Sequence, residues 1–119
     1  MQRYVLIERR DPFESGDIRE SFGRAAALAR EGHQVTIVLV RDGVSAALRG
    51  EHTFWLAELG RLGVDVIADV ASLRARDISP ARISRWVRPS ALPFPLESFA
   101  PGDGDEWLID DAPALRAVS

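Results

Sequence analysis

The chain has 119 residues, 46% of them hydrophobic, and a net charge of −3, values typical of one globular domain. It contains no cysteine, which excludes disulfides, thiolate metal sites and cysteine nucleophiles. It also contains no lysine, so no lysine-dependent mechanism can operate, and the acidic balance argues against a nucleic-acid interface.

Strands and helices are predicted to alternate along the chain. Strands are predicted at the apolar, largely β-branched or aliphatic segments 4–7, 34–40, 64–68 and 106–109. Helices are predicted where apolar residues recur at helical spacing, at about 17–31 and 51–62, with shorter helical segments at 44–48, 81–86, 96–100 and directly after residue 69. In the helix at 51–62, Trp55, Leu59 and Leu62 are predicted to share one face. The segment 87–95 holds three prolines and is predicted to be a loop that can include one extended segment.

This alternation predicts an α/β fold, a three-layer α/β/α sandwich with a mostly parallel sheet of about five strands. We expect residues 1–119 to form a single domain, with 110–119 as a flexible tail. The first residues enter a strand without the long apolar segment of a signal peptide. The longest strongly apolar run, 35–40, is too short to span a bilayer. A cytoplasmic protein is therefore expected.

Asp69 lies at the boundary between two predicted elements, because the strand at 64–68 ends there and a helix begins. In an open α/β sheet, ligands bind where the parallel strands end. The loops after the first three strands are expected to bring Asp11, Asp42 and Asp69 together at that edge. The candidate residues for binding a ligand or partner are Asp11, Phe13, Asp42, Asp69 and Arg74. Asp69 itself is open to two interpretations, a structural helix N-cap or a group that contacts a ligand.

Several enzyme classes with α/β folds are disfavoured by missing motifs. No Gly-x-Gly-x-x-Gly follows the first strand, and neither a P-loop nor a Gly-x-Ser-x-Gly elbow occurs. His33 and His52 each lack a second histidine at helical spacing, so no metal and no cofactor are predicted. A phosphoacceptor receiver domain is similar in length and in its aspartate after strand three. That family also needs an adjacent acidic pair and a lysine, which this chain lacks.

Four short segments carry a resemblance to a known family: VLIERRDPF at 5–13, EGHQV at 31–35, DGV at 42–44 and GVDV at 63–66. Together with the segment 69–78, they resemble the DsrE/DsrF/DsrH (TusBCD-like) sulfur-relay superfamily over roughly residues 4–109. The resemblance implies a small α/β protein that assembles as a trimer or hexamer. Several members of that family carry a persulfide on a cysteine at the end of strand three, and Asp69 matches that position.

The resemblance does not bring the family's best-known activity with it. A carboxylate cannot accept sulfane sulfur, so a cysteine-free chain is not a persulfide sulfurtransferase by itself. The leading hypothesis is a non-catalytic oligomeric scaffold or binding subunit, partnered by itself or by a cysteine-bearing paralogue. The alternative is a protein that binds an anionic metabolite or nucleotide through the loops at the sheet edge. An enzyme that uses Asp69 as an acid or base ranks last, because nothing in the sequence indicates a substrate.

Overall fold

The computed structural model describes residues 3–12, 18–91 and 105–109. The strands in this part of the chain are β1 (Arg3–Glu8), β2 (Gln34–Leu39), β3 (Asp65–Asp69), β4 (Arg88–Ser90) and β5 (Asp105–Ile109). The helices are α1 (Ile18–Arg30), α2 (Thr53–Arg61) and α3 (Val70–Ala75), with 3₁₀ segments at Arg41–Ala47 and Pro80–Arg82. None of these helices is long and apolar enough to cross a membrane.

The strands form one sheet in the order β4-β3-β2-β1-β5. Strands β1 to β4 pair in parallel with their neighbours, and β5 runs antiparallel to β1. The register places Leu6 beside Ile37 and Ile37 beside Val66. The predicted fold class, α/β with a mostly parallel sheet of about five strands, is confirmed. The three described helices all contribute to one core cluster, so the second helical layer of the predicted three-layer sandwich lies outside the described residues.

One face of the sheet carries the main core. Leu6, Ile37 and Val66 point into a cluster of buried residues to which all three helices contribute. The helical members include Phe22, Ala25 and Leu28 of α1, Leu56 and Leu59 of α2, and Leu73 of α3. Because β1 to β4 are neighbours in chain order and parallel crossovers are right-handed, the helices that join them pack on the same face.

The opposite face of the central strands is also apolar and covered. Successive side chains of a strand point to opposite faces, so Val5, Ile7, Val38 and Ile67 lie opposite the helical core. Each of them is at most 1% exposed. Strands buried on both faces explain why their sequences read as continuous apolar runs instead of alternating patterns.

Helix α2 buries only part of the predicted face. Leu59 is buried and Leu62 is partly buried against the core, together with the buried Leu56, whereas Trp55 is 41% exposed. A β-carbon added to Gly60 would lie 2.6 Å from the ring of Trp86, so the side of the helix that carries Gly60 also packs against the fold. Trp55 lies on the other side of the buried face and is left at the surface.

After residue 80, the structure corrects one prediction and locates the extended segment that another allowed. The predicted helix at 81–86 is only the 3₁₀ turn Pro80–Arg82, because Ile83 instead forms an antiparallel bridge with Leu48. The predicted loop at 87–95 contains β4, which tolerates Pro89 because this short strand lies at the end of the sheet order. The predicted helical turn at 96–100 and tail at 110–119 lie outside the described residues.

Candidate functional site

The parallel strands end at one edge of the sheet, which we call the carboxyl edge: Glu8 of β1, Leu39 of β2, Asp69 of β3 and the segments that follow them. The loop after β2 packs closely on the end of β1. The Val40 amide donates to the Glu8 carbonyl at 3.0 Å. A β-carbon at Gly43 would stand 2.1 Å from the same carbonyl oxygen, so only glycine fits there.

Asp69 is a buried helix N-cap. It is 5% exposed, and its Oδ2 accepts hydrogen bonds from the backbone amide of Ser72 at 3.1 Å and from the Ser72 hydroxyl at 2.6 Å. The Asp69 backbone is extended, which is the conformation typical of an N-cap. Its side chain accepts a hydrogen bond from the Ser72 amide, one of the first amides of α3, which have no acceptor within the helix. Of the two interpretations that the sequence left open, the observed contacts are those of a cap.

The Ser72 hydroxyl extends this contact to the neighbouring loop. While it donates to Asp69, it accepts a hydrogen bond from the Arg41 amide at 2.8 Å. Arg41 holds a positive φ of 52°, a conformation that non-glycine residues rarely adopt. The hydrogen bond from its amide helps to fix that backbone, so one hydroxyl joins the ends of β2 and β3.

A second contact between the same two loops is ionic. Arg76 donates to Oδ1 of Asp42 through Nε at 3.1 Å and Nη2 at 2.9 Å, and through Nη1 to the Ser72 carbonyl at 3.2 Å. The Asp42 side chain is 65% exposed, so water screens much of this attraction. Arg74, the arginine named from the sequence, is exposed in the last turn of α3, and Arg76 makes the bond to Asp42.

Glu8 is the residue at this edge that sequence reasoning missed. It is fully buried, and its carboxylate accepts bonds from Arg10 Nε at 3.0 Å, Arg10 Nη2 at 2.9 Å and Ser21 Oγ at 2.9 Å. The cluster thus ties the end of β1 to helix α1. A signal was present, because Glu8 follows Tyr4 and Leu6 at strand spacing and therefore points to the face of the core.

Two of the predicted site residues remain, Asp11 and Phe13. Asp11 is half-buried in the segment after β1, and Phe13 lies outside the described residues. Accessible charges of both signs, Arg41, Arg74 and Asp42, stand at the carboxyl edge. No group of three metal-ligating side chains occurs within the part of the chain that the structure describes.

The hydrogen bonds at the carboxyl edge bring Asp42 and Asp69 into one network, with Ser72 and Arg76 between them.

An open cavity of about 210 Å³ lies at the other end of the sheet, where the strands begin. Its lining includes Arg3, Gln34 and Asp65, the first residues of β1, β2 and β3. It is thus separated from the carboxyl edge by the length of the strands. Asp65 is already bonded there to Arg88 at 2.8 Å.

Comparison with known structures identifies the fold, whereas comparison with family models and curated sequences finds no match. No protein-family model matches the chain, and no curated protein sequence does. Among solved structures, the chain is similar to the YchN protein of E. coli, with a TM-score of 0.71 and 25% identity over 77% of this chain and 86% of YchN. It is also similar to MTH1491 of Methanobacterium thermoautotrophicum, described as a protein of unknown function. That match has a TM-score of 0.62 and 20% identity over 71% of this chain and 76% of MTH1491.

Both matches cover more than two thirds of this chain. The chain therefore has the α/β fold of YchN, which is the DsrE/DsrF-like fold that the sequence resemblance implied.

Proposed function

We propose that the protein is a cysteine-free member of the DsrE/F-like superfamily that acts as a non-catalytic scaffold or binding subunit. It would assemble with further copies of itself or with a cysteine-bearing paralogue, and so be linked to sulfur relay. The observation that carries the proposal is the state of Asp69. At the position that the resemblance matches to the persulfide cysteine of several superfamily members, this chain has a carboxylate that is 5% exposed and bonded twice to Ser72.

The chemistry of this position supports a structural role. A helix N-terminus stabilises an anion, which suits a reactive thiolate in the relatives and a capping carboxylate here. A carboxylate forms no persulfide, and none of the 119 residues is a cysteine. The protein would keep the family fold, and with it the surfaces through which subunits associate, without the sulfur-carrying group.

Self-assembly is tested by size-exclusion chromatography with light scattering on the purified chain at micromolar concentration. We expect a mass that is a multiple of the monomer mass. A clean monomer would contradict self-assembly. Co-expression with a cysteine-bearing DsrE/F-like protein of the same genome then tests the mixed assembly, which is expected to co-purify through a tag on one partner only.

The capping role of Asp69 has its own test. Asp69→Asn and Asp69→Ser keep an N-cap acceptor, and we expect both variants to fold and to assemble as the unmodified protein does. Asp69→Ala removes the acceptor and is expected to lower the free energy of unfolding by about 0.5–2 kcal/mol, measured by urea denaturation. Loss of assembly in a fully folded Asp69→Asn variant would show instead that the carboxylate contacts a partner.

A further inference from the structure

A short antiparallel ribbon joins the segment before α2 to the segment before β4. Its bridge pairs Leu48 with Ile83, and the Arg49 amide donates to the Arg82 carbonyl at 3.0 Å. Leu48 and Ile83 pack against the core, so the next residues along the ribbon point outward, and Arg49 and Arg82 are both exposed. The ribbon thus sets two arginines directly opposite each other at the surface. We call Arg49 and Arg82 the arginine pair.

Placing two positive charges opposite each other has an energetic cost. The β-carbons of a cross-strand pair are about 5 Å apart, and like charges in such a pair are destabilising. Other arginines of the described chain form an ion pair with a carboxylate: Arg10, Arg61, Arg76 and Arg88. Among the described residues, no carboxylate bonds to either guanidinium of the arginine pair, although the chain holds 18 acidic residues against 15 basic ones. The repulsion is therefore not compensated by contacts within this part of the chain.

We propose that the arginine pair binds a phosphate group, either as the free ion or as part of a small phosphate ester. Each guanidinium presents parallel N–H donors that match two oxygens of an oxyanion. A phosphate ester carries about 1.5 to 2 negative charges and three acceptor oxygens, so it can accept from both guanidiniums at once. A carboxylate has one charge and two oxygens, which a single guanidinium already satisfies. The charge and the number of donors therefore favour phosphate.

The surface beside the pair leaves room for such a ligand. A β-carbon added to Gly50, which directly follows Arg49, would meet no atom within 4 Å. The ribbon is also separate from the hydrogen-bonded network of Asp42 and Asp69 at the carboxyl edge, since none of the residues of that network belongs to it. Phosphate binding at the arginine pair thus goes beyond the scaffold role and does not depend on it.

Binding is tested by titrating the full chain with inorganic phosphate while chloride holds the ionic strength constant. We expect saturable binding in the millimolar range, because the site lies in water and offers one group to each guanidinium. Heteronuclear NMR of the arginine Nε–H groups locates it. The signals that move with phosphate are expected to be those missing from the spectra of Arg49→Gln and Arg82→Gln.

The same two variants measure how much each guanidinium contributes. Each removes one charge and is expected to weaken phosphate binding about tenfold or more, because charge-assisted hydrogen bonds are lost. The double variant is expected to show no saturable binding. In chloride alone, the urea midpoint of each variant is expected to equal or exceed that of the unmodified chain, because the substitution relieves the repulsion.

A matched control is Arg30→Gln, which removes an exposed arginine in the last turn of α1. It is expected to leave the affinity for phosphate unchanged. Phosphate binding that persists in the double variant, or that falls equally in Arg30→Gln, would overturn the proposal. So would the absence of saturable phosphate binding by the unmodified chain.

Two further ligands define the chemistry of the site. Acetate is expected to bind at least about tenfold more weakly than phosphate, because one guanidinium satisfies it, and equal affinities would overturn the assignment to phosphate. Adenosine monophosphate separates the two sources. Affinity equal to that of inorganic phosphate supports a site for the phosphate group alone, and clearly tighter binding supports the phosphate of a nucleotide.

Discussion

Ser72 is the residue on which the contact between the loops after β2 and β3 depends. Its hydroxyl donates to buried Asp69 and accepts from the Arg41 amide, so it links a buried carboxylate to the backbone of the loop after β2. Neither contact can be predicted from the sequence, in which Ser72 is a single polar residue of a short predicted helix. The hydroxyl became important only when the fold placed residue 41 next to residue 72.

Ser72→Ala is therefore expected to be costly for so small a change. It leaves the Arg41 amide without its acceptor and removes the shorter of the two bonds to Asp69, a loss of about 1–3 kcal/mol in the free energy of unfolding. Urea denaturation measures the change. The matched control is Ser79→Ala, which removes an exposed cap and is expected to cost at most about 1 kcal/mol. Equal losses in the two variants would contradict the joining role of Ser72.

Gly43 marks the closest approach of two backbones at the carboxyl edge. Gly43→Ala would force a β-carbon within 2.1 Å of the Glu8 carbonyl oxygen, and the backbone cannot move aside as a flexible side chain would. We expect a destabilisation of about 1–3 kcal/mol or more, seen as a lower urea midpoint.

Gly23 provides the opposite case for the same substitution. It lies within α1 with nothing near the position of an added β-carbon. Gly23→Ala is expected to stabilise the protein by about 0.5–1 kcal/mol, because alanine favours the helix. A stabilising Gly43→Ala would show that the loop after β2 does not pack on β1 as described.

At the scale of elements, the buried ion pair of Glu8 and Arg10 joins strand β1 to helix α1 through Ser21. The Glu8 side chain is 1% exposed and that of Arg10 is 19% exposed, so the charges are poorly hydrated and depend on each other. Removing one partner of such a pair leaves a buried charge without compensation. Arg88 and Asp65, on strands β4 and β3, also form an arginine–carboxylate ion pair, but both of their side chains are exposed to water.

These two pairs make a matched comparison. Arg10→Met is expected to cost about 3–5 kcal/mol in the free energy of unfolding, since it strands the Glu8 carboxylate in the core. Arg88→Met is expected to cost about 0–1 kcal/mol, because its pair with Asp65 is exposed and screened. Chemical denaturation of both variants in the same buffer measures the difference. Similar losses would mean that water reaches the Glu8 carboxylate.

At the scale of the whole molecule, self-association would make thermal stability depend on protein concentration. Binding between folded subunits stabilises the native state by mass action, so the melting temperature is expected to rise across a hundredfold increase in concentration. Scanning calorimetry at several concentrations measures the rise, and a constant melting temperature would argue against self-association.

The sequence by itself determined the fold class and the place of Asp69. The apolar, largely β-branched or aliphatic segments at 4–7, 34–40 and 64–68 predict buried strands, and the helical segments between them indicate parallel crossovers. These are local patterns, and the described elements follow them closely. The end of strand three at Asp69, followed at once by a helix, is local in the same sense, because an N-cap is set by residues within one turn.

Only the tertiary structure decided which residues complete the carboxyl edge and which face of α2 is outward. Ser72, Arg76 and Glu8 owe their roles to partners distant in the chain, and no spacing in the sequence indicates which partner a side chain meets. Helix α2 offered apolar residues on more than one side. In the fold, Leu56 and Leu59 are buried and the Gly60 side of the helix meets Trp86, 26 residues further along, whereas Phe54 and Trp55 stay exposed.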